Sequence, residues 1–523
     1  MKSWIQVCFV QLNNSLSQDG SQVFALFIFT ALVWILYKCL KYVYPYWRFR
    51  NIPGPPPKWP IGNIFELLKK PGQEHRLLLQ YAKRYGPTFQ LWYLNRRTVI
   101  VANPEDAKFV LATRNYPKSP IFCRCFSPLG HGLLTLSQQE HSVQRKAISQ
   151  RFNEEFLQSL HHHLTAELEV FITQVDALCD TERVVDLDAL ISALTLDVIA
   201  RTAFGVSFST QTSQQHPMPC AVLTLLDELV NNMIFYPYRF WLPQITQKRL
   251  NEALTVIHKF CSMVIDLRLQ ESREEKANRV RDLLDIFLES EETRDNVIAH
   301  VATFMLAGHD TTSHTLSFCM YEIAQNRDIE RKLQEESDRF IAPQDRIVPF
   351  EQVGHLDYTR MVWNEALRTH PAAANTSVRC ADRDDILPGS GIPITKGTGL
   401  MVSSYLIHHL PQYWEDPDSF IPERHTKEAV RQRSPYHFLP FSRGSRNCIG
   451  QFVANHEALT ILSSIYKRYE IRLAVDAQEI EEYFRVTMKP HCRVSVGSEG
   501  KKDPSLDAHL GLPVKIYTRK CHS

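Results

Sequence analysis

Residues 441–450 read Phe-Ser-Arg-Gly-Ser-Arg-Asn-Cys-Ile-Gly, and few surroundings suit such a run. It closes a loop rich in Pro and aromatic residues, 435–441, and a helical pattern over 451–469 follows at once. Cys448 therefore falls at a helix N-terminus, near free backbone N–H groups and the positive end of the dipole. Those conditions favour thiolate over thiol. A thiolate in such a niche can be a nucleophile or a metal ligand. Gly444 and Gly450 lack Cβ atoms and let the backbone pass close to something flat and bulky. Arg446 can offer a charge-assisted fork to a carboxylate. The set suits a haem, with iron on sulfur and a propionate on Arg446. For a lone thiol the alternative is a buried structural Cys, the commonest fate of a free Cys.

A chain of 523 residues with 44% hydrophobic and 22% charged content can bury a large core. The net charge of +2 comes without a basic block interleaved with aromatics, which sets nucleic-acid binding aside. Twelve Cys run from Cys8 to Cys521 without a repeating spacing. No disulfide framework follows, and a reducing compartment fits the main body.

Residues 1–22 are polar and mixed; residues 23–46 are apolar enough, with their flanks, to span a bilayer. Lys38 and Lys41 interrupt the run but can snorkel. Lys38, Lys41, Arg48 and Arg50 all lie on its C-terminal side, so the positive-inside rule leaves residues 61–523 in the cytosol and residues 1–22 in the lumen. The sequon at Asn13 would then be lumenal. Residues 47–60 are basic and Pro-rich, with Pro53-Gly54-Pro55-Pro56-Pro57, and form a stiff hinge.

Residues 89–101 predict a hairpin turning at 95–97, and 104–113 a short helix. Residues 116–136 read as an irregular binding loop. Helices follow over 140–152 and twice within 155–205. Residues 233–242 gather aromatic and aliphatic side chains around Pro237, either core or a second membrane contact. Residues 376–407 alternate and read as strands. So do 484–488, 494–496 and 512–517, as a terminal hairpin set, with 501–505 a solvated loop between strands.

The longest apolar-periodic helix covers 295–326, interrupted by Ala307-Gly-His-Asp-Thr-Thr312. Gly308 is costly in mid-helix, and Thr311 and Thr312 compete for backbone carbonyls. A kink is expected, leaving room for a ligand beside an acid, Asp310, and an alcohol, Thr311. A short helix over 361–370 ends before Pro371 and places Glu365 and Arg368 on one face.

The pattern F-x-x-G-x-R-x-C-x-G at Phe441–Gly450 resembles the haem loop of the cytochrome P450 superfamily at every fixed position. Ala-Gly-His-Asp-Thr matches the central-helix motif of that family; E-x-x-R at Glu365 and Arg368, and Pro-Glu-Arg ending at Arg424, match two more, in the same order. The resemblance covers about residues 53–520 and is to the microsomal type. In motif wording it is nearest to fatty-acid ω-hydroxylases and sterol side-chain hydroxylases. It implies a mainly α fold with small β-sheets, an N-terminal membrane anchor and a bound haem b.

The resemblance implies further roles. Cys448 would be the axial iron ligand, framed by Phe441, Gly444 and Gly450. Arg446, Arg145 and Arg379 would meet the propionates, with His141 standing where the family often has Trp. Ala307 occupies the position of a Glu that esterifies haem in many ω-hydroxylases, so no such link is expected. Glu365, Arg368 and Arg424 would form a buried structural triad, with His425 where Phe is common. Residues 372–376 and the Met488 region would face substrate.

The reaction implied is insertion of one oxygen atom from O2 into a C–H bond of a lipophilic substrate, a fatty acid or sterol. Electrons would come from NADPH through a separate reductase, since no dinucleotide or flavin motif is present. Cytochrome b5 is a second candidate donor. Asp310 and Thr311 would relay protons. Arg145, Lys146 and Arg443 would offer an acidic donor a positive face. Location in the endoplasmic reticulum membrane as a single-pass protein follows from the same type. Two alternatives stay open: a haem-thiolate isomerase or dehydratase of oxygenated lipids, and a non-catalytic haem-binding protein.

Overall fold

The apolar-periodic stretch at the centre of the chain forms a 32-residue helix, Arg294–Gln325. Thr293 starts it by accepting the Asn296 N–H on its side-chain oxygen, which satisfies one of the donors a helix end leaves free. The structure, a computed structural model, describes residues 20–150, 152–213, 217–234, 236, 247–290, 293–495, 497 and 510–520. Helices Glu154–Leu178, Leu187–Phe204, Asp357–Thr369 and Gln451–Arg468 share one apolar cluster with the central helix. Helices Pro217–Ile234, Lys248–Gln270 and Leu283–Glu289 share a second with it. Enclosed from both sides, the central helix is buried nearly all round over its middle and carries polar as well as apolar side chains into the core.

The sheets are small and peripheral. The largest has four strands in the order Thr88–Tyr93, Arg96–Val101, Gly399–Val402, Arg379–Cys380. The first pair is an antiparallel hairpin with Thr88 opposite Val101; the second pair is parallel, with Thr98 opposite Gly399. The mainly α architecture with small sheets is the one expected.

Three local expectations fail for identifiable reasons. The central helix is not interrupted at 307–312: its α-helical pattern is continuous. Gly308 is a packing glycine, since a Cβ there would stand 2.8 Å from Ile199 Cδ1 on the neighbouring helix. Residues 404–409 are helical, not a strand, because Ser403 caps them by accepting the Leu406 N–H. The terminal strands are Ile480–Phe484 and Met488–Cys492, paired across a turn at 485–487 that the expected strand ran through. Residues 494–495 form no strand, and Pro513–Thr518 pairs with Tyr469–Leu473 and Val185–Asp186 instead.

Among the described residues one helix is long and apolar enough to cross a membrane, Phe24–Arg48, with mean hydropathy 1.8 and its surface exposed. Its parent helix, Gly20–Arg48, ends against the hairpin. The Tyr46 ring lies 4.4 Å from Trp92, its hydroxyl donates to the Leu94 carbonyl, and Arg97 covers the Phe49 ring at 4.1 Å. The Asn13 sequon, residues 237–242 of the aromatic cluster and the 501–505 loop lie outside the described residues.

Behind the Cys448 loop, Glu365 and Arg368 are wholly buried and joined by two bonds of 2.9 and 2.8 Å. Arg368 also donates to the carbonyls of His408, Pro417 and Ser419, tying the end of the helix Ser404–His409 and the loop after it to one guanidinium. Arg424 approaches Glu365 only to 3.4 Å, whereas His425 Nε2 stands 2.9 Å from Glu365 Oε2. The expected triad is thus a group of four, and the residue that departed from the pattern makes the shorter contact. Burial alone would raise the Glu365 pKa; bonds from His425 and Arg368 outweigh it and bring it to about 2. Its stabilising contribution is therefore full above the ordinary value of 4.5 and is lost as pH falls towards 2. Glu365→Ala would leave a buried guanidinium uncompensated, at a cost of roughly 3–5 kcal/mol. The expected outcome is a large fall in melting temperature at neutral pH; a melting temperature equal to wild type would contradict the account.

Candidate active site

Residues 441–450 form a tight loop whose shape is set by a few backbone contacts. The Cys448 N–H donates to the Phe441 carbonyl at 2.8 Å, closing the loop on itself. Gly444 has φ +83°, and a Cβ there would meet the Leu111 carbonyl oxygen at 2.1 Å. The glycine is required by protein backbone and not, as the sequence suggested, by close approach to a ligand. Gly450 differs: no atom lies within 4 Å of its missing Cβ, so open space adjoins the loop there. The helix Gln451–Arg468 starts immediately after it, as expected.

Cys448 keeps accessible surface, yet burial pushes its thiol above the ordinary range, against opposing pulls from the Gly450 N–H and the Arg145 charge. Both observations hold if that surface opens on an enclosed space instead of bulk water. Ile449 packs in the same cluster as Phe304, Met305 and Leu306 of the central helix. From Val297 to Met320 that helix is buried except at Ala307, Gly308 and Thr311. Those three form one accessible strip on an otherwise covered helix.

The acid and the alcohol do not share an environment. The Thr311 hydroxyl donates to the Ala307 carbonyl at 2.7 Å and remains on the strip. Asp310 is buried, with Oδ1 3.2 Å from His314 Nε2 and Oδ2 accepting the Thr487 hydroxyl. Thr487 belongs to the 485–487 turn. Met488 itself is fully buried, its N–H donating to Ala372 O at 2.9 Å, so the turn and not Met488 presents side chains to this region.

A second feature is a collection of cations. Arg145 donates twice to Asn447, to its carbonyl and its side-chain oxygen, at 2.6 Å each. Arg446 donates to Leu136 O at 3.1 Å and reaches Gln138 Oε1 at 3.4 Å. Arg379 donates to Tyr116 O at 2.8 Å. Lys118, paired across a bridge to Arg379, donates to Leu134 O. His141 is buried among them. Sequence reading missed Lys118, which sits in no motif. Burial and then the Arg446 and Arg379 charges push Lys118 down to about 7. Burial and then four neighbouring cations push His141 to about 3. Arg379 falls to about 10, through burial and Arg446. Among the described residues no carboxylate acts on Lys118, Arg379 or Arg446. Two buried donors, Arg446 Nη1 and Arg379 Nε, have no hydrogen-bond partner. Cations gathered in a partly buried space without a carboxylate beside them favour the approach of an anion.

A thiol just before a helix start, an adjoining open space and a group of cations with surplus donors are the parts that a metal-bearing anionic ligand would need. The comparisons agree. The cytochrome P450 family model matches residues 52–492. Cytochrome P450 4d2 of Drosophila melanogaster is 30% identical over 458 residues, 81% of this chain and 90% of its own length. Cytochrome P450 3A17 of Cavia porcellus is 27% identical, covering 80% and 85%. Cytochrome P450 4V2 of Homo sapiens is 25% identical, covering 87% and 91%. The chain belongs to the cytochrome P450 family, of the microsomal type, and is an oxidoreductase of the monooxygenase class.

The family implies haem b, and the donor set fits it: one soft sulfur for iron, and surplus buried cations for two carboxylates. Lys118 supplies a test. Without an anion its charge is a burden on the folded state, full below about pH 7 and relieved as pH rises towards 10.5. Lys118→Met should therefore raise the melting temperature of the haem-free protein at neutral pH and lower haem occupancy, read as Soret absorbance per protein. A variant that lost stability in the haem-free form and kept full occupancy would show that Lys118 belongs to the scaffold alone.

Proposed function

We propose that this protein is a haem-thiolate monooxygenase acting on a lipophilic substrate, a fatty acid or sterol, at the endoplasmic reticulum membrane. The observation that carries the proposal is the pairing of an accessible thiol at Cys448, itself shifted by burial, with a cation nest on which no carboxylate among the described residues acts. In this reading Cys448 is the axial ligand. Arg446, Arg145 and Arg379, with Lys118, hold the propionates. Phe441, Gly444 and Gly450 frame the loop, and Ala307, standing where many ω-hydroxylases have Glu, offers no carboxyl for a covalent haem link. Residues 23–46 anchor the chain, 47–60 form the hinge and 61–523 the cytosolic catalytic domain; the exposed apolar surface of Phe24–Arg48 supports the anchor. The motif wording around Cys448 and Asp310 supports the substrate class.

When bound, haem supplies activation of dioxygen and insertion of one oxygen atom into a C–H bond, thiolate ligation favouring O–O cleavage. The chain does the rest. The Thr311 hydroxyl, on the one accessible strip of the central helix, holds the water that brings protons. Asp310, ionised and anchored at both oxygens, supplies the negative charge that draws them. The covered remainder of the helix keeps other water out. Electrons come from NADPH through a reductase docking on the face that carries Arg145, Lys146 and Arg443, with cytochrome b5 a second donor.

The test uses the full chain with reductase, NADPH and a panel of lipids under 18O2. One labelled oxygen atom in the product is expected; product formed without reductase or NADPH would move the protein to the isomerase class. Thr311→Ala removes the hydroxyl and leaves the thiol and cation nest in place. Substrate affinity should change little, product per NADPH oxidised should fall, and hydrogen peroxide should rise correspondingly. Unchanged coupling would remove Thr311 from the proton path.

A further inference from the structure

Asp310 does not end the chain of buried charge. His314, one turn further along the central helix, lies with Nε2 3.2 Å from Asp310 Oδ1 and Nδ1 2.9 Å from Asp188 Oδ1. All three residues are buried, at 1%, 3% and 8% exposure. Asp188 comes from another element, the first turn of the helix Leu187–Phe204, 126 residues away in sequence. An imidazole has two nitrogens, and a carboxylate only accepts. A neutral ring would turn a lone pair on one carboxylate; only the doubly protonated ring satisfies both. The geometry thus stores a proton in the core, one hydrogen bond from the relay acid.

We infer that His314, held by Asp188, is a positioning residue for the proton path: it fixes the Asp310 carboxylate in orientation and keeps it ionised, while Thr487 ties that carboxylate to the 485–487 turn. The inference rests on the proposed role of Asp310 and Thr311 and extends it to three residues, Asp188, His314 and Thr487, that no motif marks. The transfer it permits is simple. A proton passing from His314 Nε2 to Asp310 Oδ1 breaks one N–H bond and forms one O–H bond, leaving a neutral ring and a neutral acid; its return restores the ion pair. No electron moves. The turn at 485–487 lies in the region expected to face substrate, so a shift of Thr487 would change the hydrogen bonding of Asp310 directly.

The electrostatics agree with the geometry. Burial lowers His314, but the two carboxylates outweigh it and bring the ring to about 10. Burial raises Asp310, but His314 outweighs it and brings the carboxyl to about 2. Asp188 is also lowered, against burial, chiefly by His314. The other titratable groups facing the unit are His309, Lys489 and Asp186. Burial holds His309 down to about 4, so it is neutral. Lys489, on the strand Met488–Cys492, acts on Asp188. Asp186 is raised by burial and by Asp188, and accepts the N–H groups of Gly511 and Leu512.

The decisive variant is Asp188→Asn, which keeps shape and a hydrogen-bonding oxygen but removes one of the two charges that hold the ring protonated. It is compared with wild type, His314→Gln and Thr311→Ala as full-length, haem-loaded protein. The first readout is independent of turnover: the 15N resonances of the His314 ring, identified by their absence in His314→Gln, or by their shift in Asp188→Asn should that variant fail to fold. The wild-type ring should stay doubly protonated throughout the ordinary histidine range. In Asp188→Asn its titration midpoint should fall by about 1–3 pH units. The second readout is product per NADPH against pH. Wild type should be flat over about pH 5–8, and Asp188→Asn should lose coupling with a midpoint that follows the ring. A wild-type ring that titrates as an ordinary histidine overturns the inference. So does a flat profile in Asp188→Asn where Thr311→Ala uncouples, and that result leaves the proposed function standing. Coupling unchanged in all three variants would instead remove the proton path itself.

Discussion

A thiol enclosed by protein holds its proton, because the charged form loses its hydration. Burial accordingly pushes Cys448 upward, and one backbone N–H from Gly450 and one guanidinium, Arg145, pull the other way without prevailing. The position becomes chemically sensible once a metal takes the sulfur, since a coordinating thiol is deprotonated outright. Everything around the loop fits that requirement. Phe441 closes it, Gly444 lets it lie on the Leu111 carbonyl, and Gly450 opens it to space. The Glu365–Arg368 pair binds the segments behind it at His408, Pro417 and Ser419.

The cation nest is the counterpart of the thiol. Isolated, it is an unfavourable cluster: Lys118, His141, Arg379 and Arg446 all sit below their ordinary pKa values, and two guanidinium nitrogens lack partners. A dianionic ligand held there, as proposed, would reverse each of these shifts, and folding and cofactor binding would then be linked. In the core, the Asp188–His314–Asp310 unit carries opposite charges in contact and is satisfied without a ligand.

Much of this was legible in the sequence where the constraint is local. The Cys448 loop and the Glu365–Arg368 pair each announce themselves within a short contiguous pattern, and the central helix through a periodic pattern along one continuous segment. What escaped depends on distance or on competition. Lys118 and Arg446 lie far apart in sequence and meet only through folding. His314 reads as an ordinary helix residue until Asp188 arrives from another element. His425 looked like a departure from a pattern and instead completes the Glu365 group at 2.9 Å. Gly308 suggested a kink because its helix propensity is poor, but Ile199 fills the space and the backbone ladder stays whole. Residues 404–407 fall at the end of a stretch read as strands, but they form the start of a helix that Ser403 caps. These are cases of tertiary packing and capping overriding local propensity.

The central claim is that Cys448 presents a thiolate to haem iron inside an otherwise apolar, cation-flanked space. The measurement that bears on it most directly is the absorption spectrum of the reduced, CO-bound protein. Wild type should show the far-red-shifted Soret band of thiolate ligation, and Cys448→Ser should lose it even where some haem is retained. A Cys448→Ser protein that kept that band would contradict the account, as would wild type lacking it with haem fully loaded.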